Sequence, residues 1–146
     1  MIKLPSGVNI NNLIDDLRDL SWEASECLLY YARILKDPKF KSNLLKNNNE
    51  EDPVTMADLK VNEMIIKRIN EKYNNIDWEI LSEENVKIST INCNTNAKWL
   101  WILDPLDGTK DFIQGTSNYA MHLALNYNQK PFLGLVLIPE KDELWI

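Results

Sequence analysis

The sequence predicts an α+β fold, a helix pair packed on a largely antiparallel sheet. Three observations lead there. Residues 10–35 carry apolar side chains at steps of three and four, namely Leu13, Leu17, Leu20, Ala24, Leu28, Tyr31 and Leu35. That stripe marks an amphipathic helix. A second stripe, Ala57, Val61, Met64, Ile65 and Ile69, opens after Pro53 and Thr55 and should stop near Tyr73-Asn74-Asn75. Beyond it the period changes, and short apolar runs fall at 76–81, 98–103, 118–127, 132–138 and 142–146, divided by turn residues.

Each element has a local reason. Residues 36–52, with Asp37-Pro38 and then Asn47-Asn48-Asn49-Glu50-Glu51-Asp52, break the helical pattern and read as a polar loop. Thr55 followed by Asp58 resembles a capping box with Asp in place of Glu or Gln, and a plain N-cap explains Thr55 as well. The first strand, 76–81, ends in Ser82-Glu83-Glu84 and so delivers carboxylates at its end. Residues 85–97 are polar and read as a loop. Trp-Leu-Trp-Ile-Leu at 99–103 reads as a buried strand. Trp99 and Trp101 share one face by the period of two, as core residues. Asp104-Pro105 should end that strand, because Pro has no ladder donor. Asn128-Gln129-Lys130-Pro131 reads as the link of a hairpin.

Composition bounds the function. A chain of 146 residues suits one domain with a real core. A net charge of −6, with no Lys/Arg run among aromatics, argues against polymeric nucleic acid as a partner. It leaves open a small nucleotide held through metal ions. Cys27 and Cys93 make no disulfide framework and no Cys-x-x-Cys pair, and Cys27 falls on the apolar face of the first helix as a buried thiol. Residues 1–6 lack the apolar core of a signal peptide. The longest apolar stretch, Phe132 to Ile138, is too short to span a bilayer. A cytoplasmic protein with no membrane partner is the expectation.

The chemistry concentrates in Trp101-Ile102-Leu103-Asp104-Pro105-Leu106-Asp107-Gly108-Thr109. Asp104 and Asp107 repel, and each raises the other's pKa unless a positive charge lies between them. A hard divalent cation such as Mg²⁺ resolves the conflict. Asp-Pro and Asp-Gly are also common turn dipeptides, so this segment alone fits a solvated turn equally well. An EF-hand does not fit, because Leu106, Gly108 and Gly115 would occupy ligand positions. If the strands carrying Glu83 and Asp104 are neighbours, the carboxylates gather. The turn adds the Leu106 carbonyl, Gly108 leaves room for a phosphate to approach backbone N–H groups, and Thr109 can orient a water. Other chemistries fit worse. His122, the sole histidine, lies in a predicted strand and reads as structural, and no Gly-x-Ser-x-Gly elbow is present. Gly7, Gly108, Gly115 and Gly134 form neither a P-loop nor a dinucleotide fingerprint.

Asp58 near a helix start, Glu83-Glu84, and Asp104 to Thr109, in that order, resemble the lithium-sensitive inositol monophosphatase superfamily of Mg²⁺-dependent phosphatases. Pro-Val-Thr-Met-Ala-Asp at 53–58, Leu-Ser-Glu-Glu at 81–84 and Asp-Gly-Thr-Lys-Asp-Phe at 107–112 look like its 3′(2′),5′-bisphosphate nucleotidase branch. The resemblance implies that Glu83, Asp104 and the Leu106 carbonyl hold a first metal, while Asp104 and Asp107 share a second, with two or three Mg²⁺ ions in all. It implies that Thr109 pairs with a proton-accepting Asp58, that Glu84 stands behind Glu83, and that Glu83, Leu106, Asp107, Gly108 and Thr109 meet the substrate phosphate. The implied reaction removes the 3′-phosphate of 3′-phosphoadenosine 5′-phosphate or its sulfated relative. An inositol or sugar monophosphatase, or an inactive metal-binding half-domain, is the alternative. Members continue into a second half with a further Asp in a Trp-Asp motif, absent here. Residues 1–146 therefore read as an N-terminal metal-binding domain, expected alone to bind Mg²⁺ weakly and hydrolyse little. Strong turnover by this chain would point to a homodimer with a site completed by the second copy.

Overall fold

The computed structural model describes residues 2–37, 56–88 and 96–146. Helix α1 spans Ile10–Leu35 and α2 spans Met56–Lys72. Strand β1, Glu79–Ser82, runs straight into a short helix α3, Glu83–Ile88. Strand β2 is Trp99–Asp107, and α4, Thr109–Gln114, leads to β3, Ala120–Tyr127. Then come β4, Lys130–Ile138, a 3₁₀ turn at Pro139–Lys141 and β5, Glu143–Trp145. The polar stretch from residue 38, the Thr55 cap and Cys93 lie outside the described residues. Among those described, no helix is long and apolar enough to cross a membrane.

Helix α1 starts where Asn9 Oδ1 accepts the N–H groups of Asn11 and Asn12 at 2.9 and 3.2 Å, satisfying two of the donors a helix start leaves open. Its stripe from Leu13 to Leu35 is buried as the periodicity requires, apart from the partly buried Tyr31. Cys27 is only half-buried, not sealed in the core as expected, and burial pushes its thiol pKa up.

The five strands form one sheet in the order β1-β2-β3-β4-β5. Only β1–β2 is parallel, and the other three pairings are antiparallel. The hairpin between β3 and β4 is tighter than the four-residue link expected. Asn128 and Gln129, at φ 46° and 64°, make the whole turn, because two left-handed residues match the twist of the flanking strands. Pro131 then lies inside β4, beside a register slip at Leu125/Asn126, where its missing N–H does least harm.

Two further expectations are corrected. Glu83-Glu84, read as the end of the first strand, and residues 85–88, read as the start of a loop, together form α3. Asp104-Pro105 does not end β2, which continues to Asp107. The pairing slips between Asp104 and Asp107. Pro105 sits inside this bulge, where the ladder is already interrupted and no donor is needed.

Along β2 the side chains alternate. Trp99, Trp101 and Leu103 are buried and join Met121, Leu123, Leu125, Leu135 and Leu137 in one core with Leu13, Leu17, Val61 and Ile65 of the helix pair. Trp78 packs edge-on against Trp101, and Tyr73 edge-on against Trp78, with centroids 5.4 and 5.0 Å apart. This aromatic ladder ties the end of α2 to the sheet. Arg68 grips both oxygens of Glu23 at 2.8 and 2.6 Å, and Lys72 and Tyr73 meet Asp16. Exposed pairs contribute about 0–1 kcal/mol each, so burial holds the helices on the sheet. On the opposite face of β2, Ile102 is exposed.

Trp101→Ala should therefore cost about 3–5 kcal/mol in urea unfolding. Ile102→Ala, at the exposed neighbouring position, should cost under about 1 kcal/mol. Equal losses at both positions would contradict the one-sided core.

Candidate active site

The parallel pairing of β1 with β2 sets Ser82 opposite Leu103. One step beyond that pair each segment carries an acid at the same end of the β1–β2 ladder: Glu83, where β1 passes into α3, and Asp104, which stays within β2. Across the antiparallel pair, Asp104 faces His122. The bulge then turns Asp107 outward, with its Oδ2 3.8 Å from His122 Nδ1. That is too long for a hydrogen bond but close enough for the charges to interact. His122 is thus half-exposed beside the acids.

Asp104 registers the crowding. Burial, then the charges of Glu83 and Asp107, push its carboxyl up to about 6, against a partial lowering by the Leu106 N–H and by His122. A carboxylate raised by burial and by its neighbours' charge is one whose charged form a cation would favour. The donors available are oxygens: the Glu83, Asp104 and Asp107 carboxylates and the Leu106 carbonyl. This set suits a hard divalent ion. Among the described residues, no three His, Cys, Asp or Glu side chains stand close enough to form a closed ligand group. The acids are electrostatic neighbours and not a preformed cage.

The turn after Asp104 is held from within. Asp104 Oδ1 accepts the Leu106 N–H at 3.2 Å, and the Thr109 hydroxyl donates to the Leu106 carbonyl at 3.0 Å. Thr109 has one proton to donate, so the expected pairing with Asp58 requires that proton to be redirected. Gly108 adopts φ +83°, and a Cβ there would stand 2.5 Å from the Asn118 carbonyl oxygen. Its lack of a side chain is thus demanded by the fold, beyond any room it leaves for a phosphate.

Burial separates the two glutamates that the sequence could not. Glu83 is exposed, whereas Glu84 is 2% exposed. Asp58 lies in the first turn of α2 at 3% exposure. Beside them is a polar group that sequence reasoning missed. Ser82 Oγ donates to Asn62 Oδ1, Asn62 Nδ2 donates to Asn85 Oδ1 at 3.2 Å, and the Glu84 N–H donates to Ser82 Oγ at 3.3 Å. One signal was available for Asn62: it sits one helical turn after Asp58 on an otherwise apolar face. Ser82 and His122 carried no such signal.

A family model described as the inositol monophosphatase family matches residues 11–146. The chain belongs to the inositol monophosphatase family. It is similar to the 3′(2′),5′-bisphosphate nucleotidase CysQ of Haemophilus influenzae, at 37% identity over 65% of this chain and 34% of that one. It is similar also to inositol monophosphatase 1 of Bos taurus, at 31% identity over 73% of this chain and 38% of that one. Among solved structures, CysQ from Bacteroides thetaiotaomicron aligns with a TM-score of 0.68 at 31% identity, covering 91% of this chain and 45% of that one. The chain thus spans less than half the length of these relatives, and its helix pair and five-stranded sheet match the family fold.

Two predictions follow from this geometry. Asp104→Asn keeps the acceptor for Leu106 while removing the repelled charge. The folded state holds the Asp104 proton up to about pH 6, so the acid's destabilising effect is absent below the unfolded pKa, grows as pH rises from there and is complete above about pH 6. In EDTA, Asp104→Asn should melt about 1–3 °C above wild type at pH 7.5, a gap kept small by solvent screening, and the gap should close towards pH 4. Gly108→Ala should lower stability by more than about 1 kcal/mol at any pH, through its left-handed backbone and the Asn118 contact.

Proposed function

We propose that this chain carries the cation- and phosphate-handling part of a phosphomonoesterase acting on a small phosphorylated nucleotide, releasing the 3′-phosphate of 3′-phosphoadenosine 5′-phosphate or its sulfated relative. The observation that carries the reading is the gathering of acids at one end of the sheet, with Glu83 and Asp104 each one step beyond the Ser82–Leu103 pair and Asp107 just past the bulge. The nucleotide choice is supported by Leu-Ser-Glu-Glu at 81–84 and Asp-Gly-Thr-Lys-Asp-Phe at 107–112, and by relatives named as bisphosphate nucleotidases. An inositol or sugar monophosphate is the second reading, supported by the relatives named as inositol monophosphatases.

Glu83, Asp104, Asp107 and the Leu106 carbonyl would hold Mg²⁺, two or three ions in all. Bound there, the cation supplies neutralisation of the acids, stabilisation of charge on the phosphoryl oxygens and a more acidic water. The chain's residues do the rest. Asp107, exposed at the bulge, faces the side from which a phosphate enters. The Thr109 hydroxyl, released from Leu106, orients the attacking water, and its proton passes towards Asp58. The water oxygen bonds to phosphorus as the ester P–O bond breaks, and the ester oxygen leaves with that electron pair and takes up a proton from solvent water as the alcohol. Because that transition state is loose, positioning and charge matter more than any nucleophile from the protein.

The test uses the longest reading frame that contains this chain. With Mg²⁺, kcat/KM for phosphate release should favour 3′-phosphoadenosine 5′-phosphate over inositol 1-phosphate by about 100-fold or more. The reverse preference selects the second reading. Asp104→Asn should lower turnover by about 1,000-fold or more, and a loss below about tenfold, roughly 1.4 kcal/mol, would remove Asp104 from the ligand set.

A further inference from the structure

The acids of the site come from separate stretches of chain. Asp58 belongs to α2, and Glu83 opens α3 directly after β1. Glu83 is exposed. Its backbone, however, lies between two buried residues, Ser82 and Glu84, that are tied to α2. Ser82 uses its hydroxyl in both directions, donating to Asn62 and accepting from the Glu84 N–H. Asn62 is 5% exposed and also uses both ends of its amide, accepting from Ser82 and donating to Asn85. Asn62 stands one turn along α2 from Asp58, on the same face.

We propose that Asn62 is a positioning residue, which through Ser82 and Asn85 fixes the start of α3 and thereby sets Glu83 at a constant place relative to Asp58 and Asp104. An amide suits the task because it offers an acceptor and a donor at once. A carboxylate at position 62 would lose the donor and bring another negative charge beside Asp58 and Glu84. Outer partners of this kind orient metal-binding side chains without touching the ion. The inference rests on the phosphatase reading only in naming a cation as what Glu83 holds.

The experiment therefore has two arms, both on the chain as it is. In the first, exchange of the Glu83 and Glu84 amides is followed by NMR without metal. Asn62→Ala should speed exchange there by about tenfold or more, while β3 and β4 amides stay within about twofold. Unchanged exchange at Glu83 and Glu84 overturns the proposal. In the second, Mn²⁺ is titrated and the free ion read by electron paramagnetic resonance. Asn62→Ala should weaken binding by about 10–100-fold. Ser82→Ala, which removes only the bridging hydroxyl, should do the same, and the double variant should lose little more than either. This milder substitution serves if Asn62→Ala loosens the fold. Faster exchange with Mn²⁺ affinity held within about twofold marks Asn62 as merely structural and overturns the positioning role. Asp104→Asn is the control. If it binds Mn²⁺ as wild type does, the metal reading itself fails, and a role for Asn62 in that site falls with it.

Discussion

The parallel pairing of β1 with β2 stops at Ser82 and Leu103, and each chain segment places an acid at its first step beyond that last pair. That juxtaposition of Glu83 and Asp104, with Asp107 added by the bulge, is the constraint on which the rest of the structure turns. Like charges in a half-buried setting cost stability, and the raised Asp104 carboxyl records that cost. The fold carries it because the core beneath is one-sided and well filled. Trp101, Leu103, Met121 and Leu123 lie fully buried under the helix pair, so the acids can remain at the rim without the sheet opening. Sites of reaction commonly trade stability for function in this way.

Around the acids, local devices replace regular structure. The bulge admits Pro105 and re-aims Asp107. Gly108 takes a left-handed conformation under the Asn118 carbonyl, and the Thr109 hydroxyl closes the turn on Leu106. On the other strand, the Ser82–Asn62 bond holds the chain where it changes from strand to helix. One side of the site is thus fixed by backbone geometry and the other by a buried polar network. The two respond differently to substitution, since a backbone constraint fails by strain and a network fails by leaving donors and acceptors unsatisfied.

The sequence by itself determined the helix pair, the number of strands and the identity of the acids. A period of three and four, or of two, is a local property, and it reflects which face must be buried wherever the element lands. The stripe of α1 and the buried pair Trp99 and Trp101 were legible for that reason. The acids were legible because Asp104, Asp107 and Glu83 interrupt apolar runs. Only the tertiary structure decided which strands are neighbours and in what register, because pairing between distant segments leaves no trace in either segment's own pattern. That is why Pro105 was read as a strand end when it sits in a bulge. It is also why the sequence did not place His122 opposite Asp104, where register puts it. Glu83 and Glu84 are chemically identical neighbours in the chain, and only the direction in which α3 leaves β1 exposes one and buries the other. Asn62 gains its partners from Ser82 and Asn85, more than twenty residues away in the case of Asn85, and a hydrogen bond across such a distance exists only once the chain has folded.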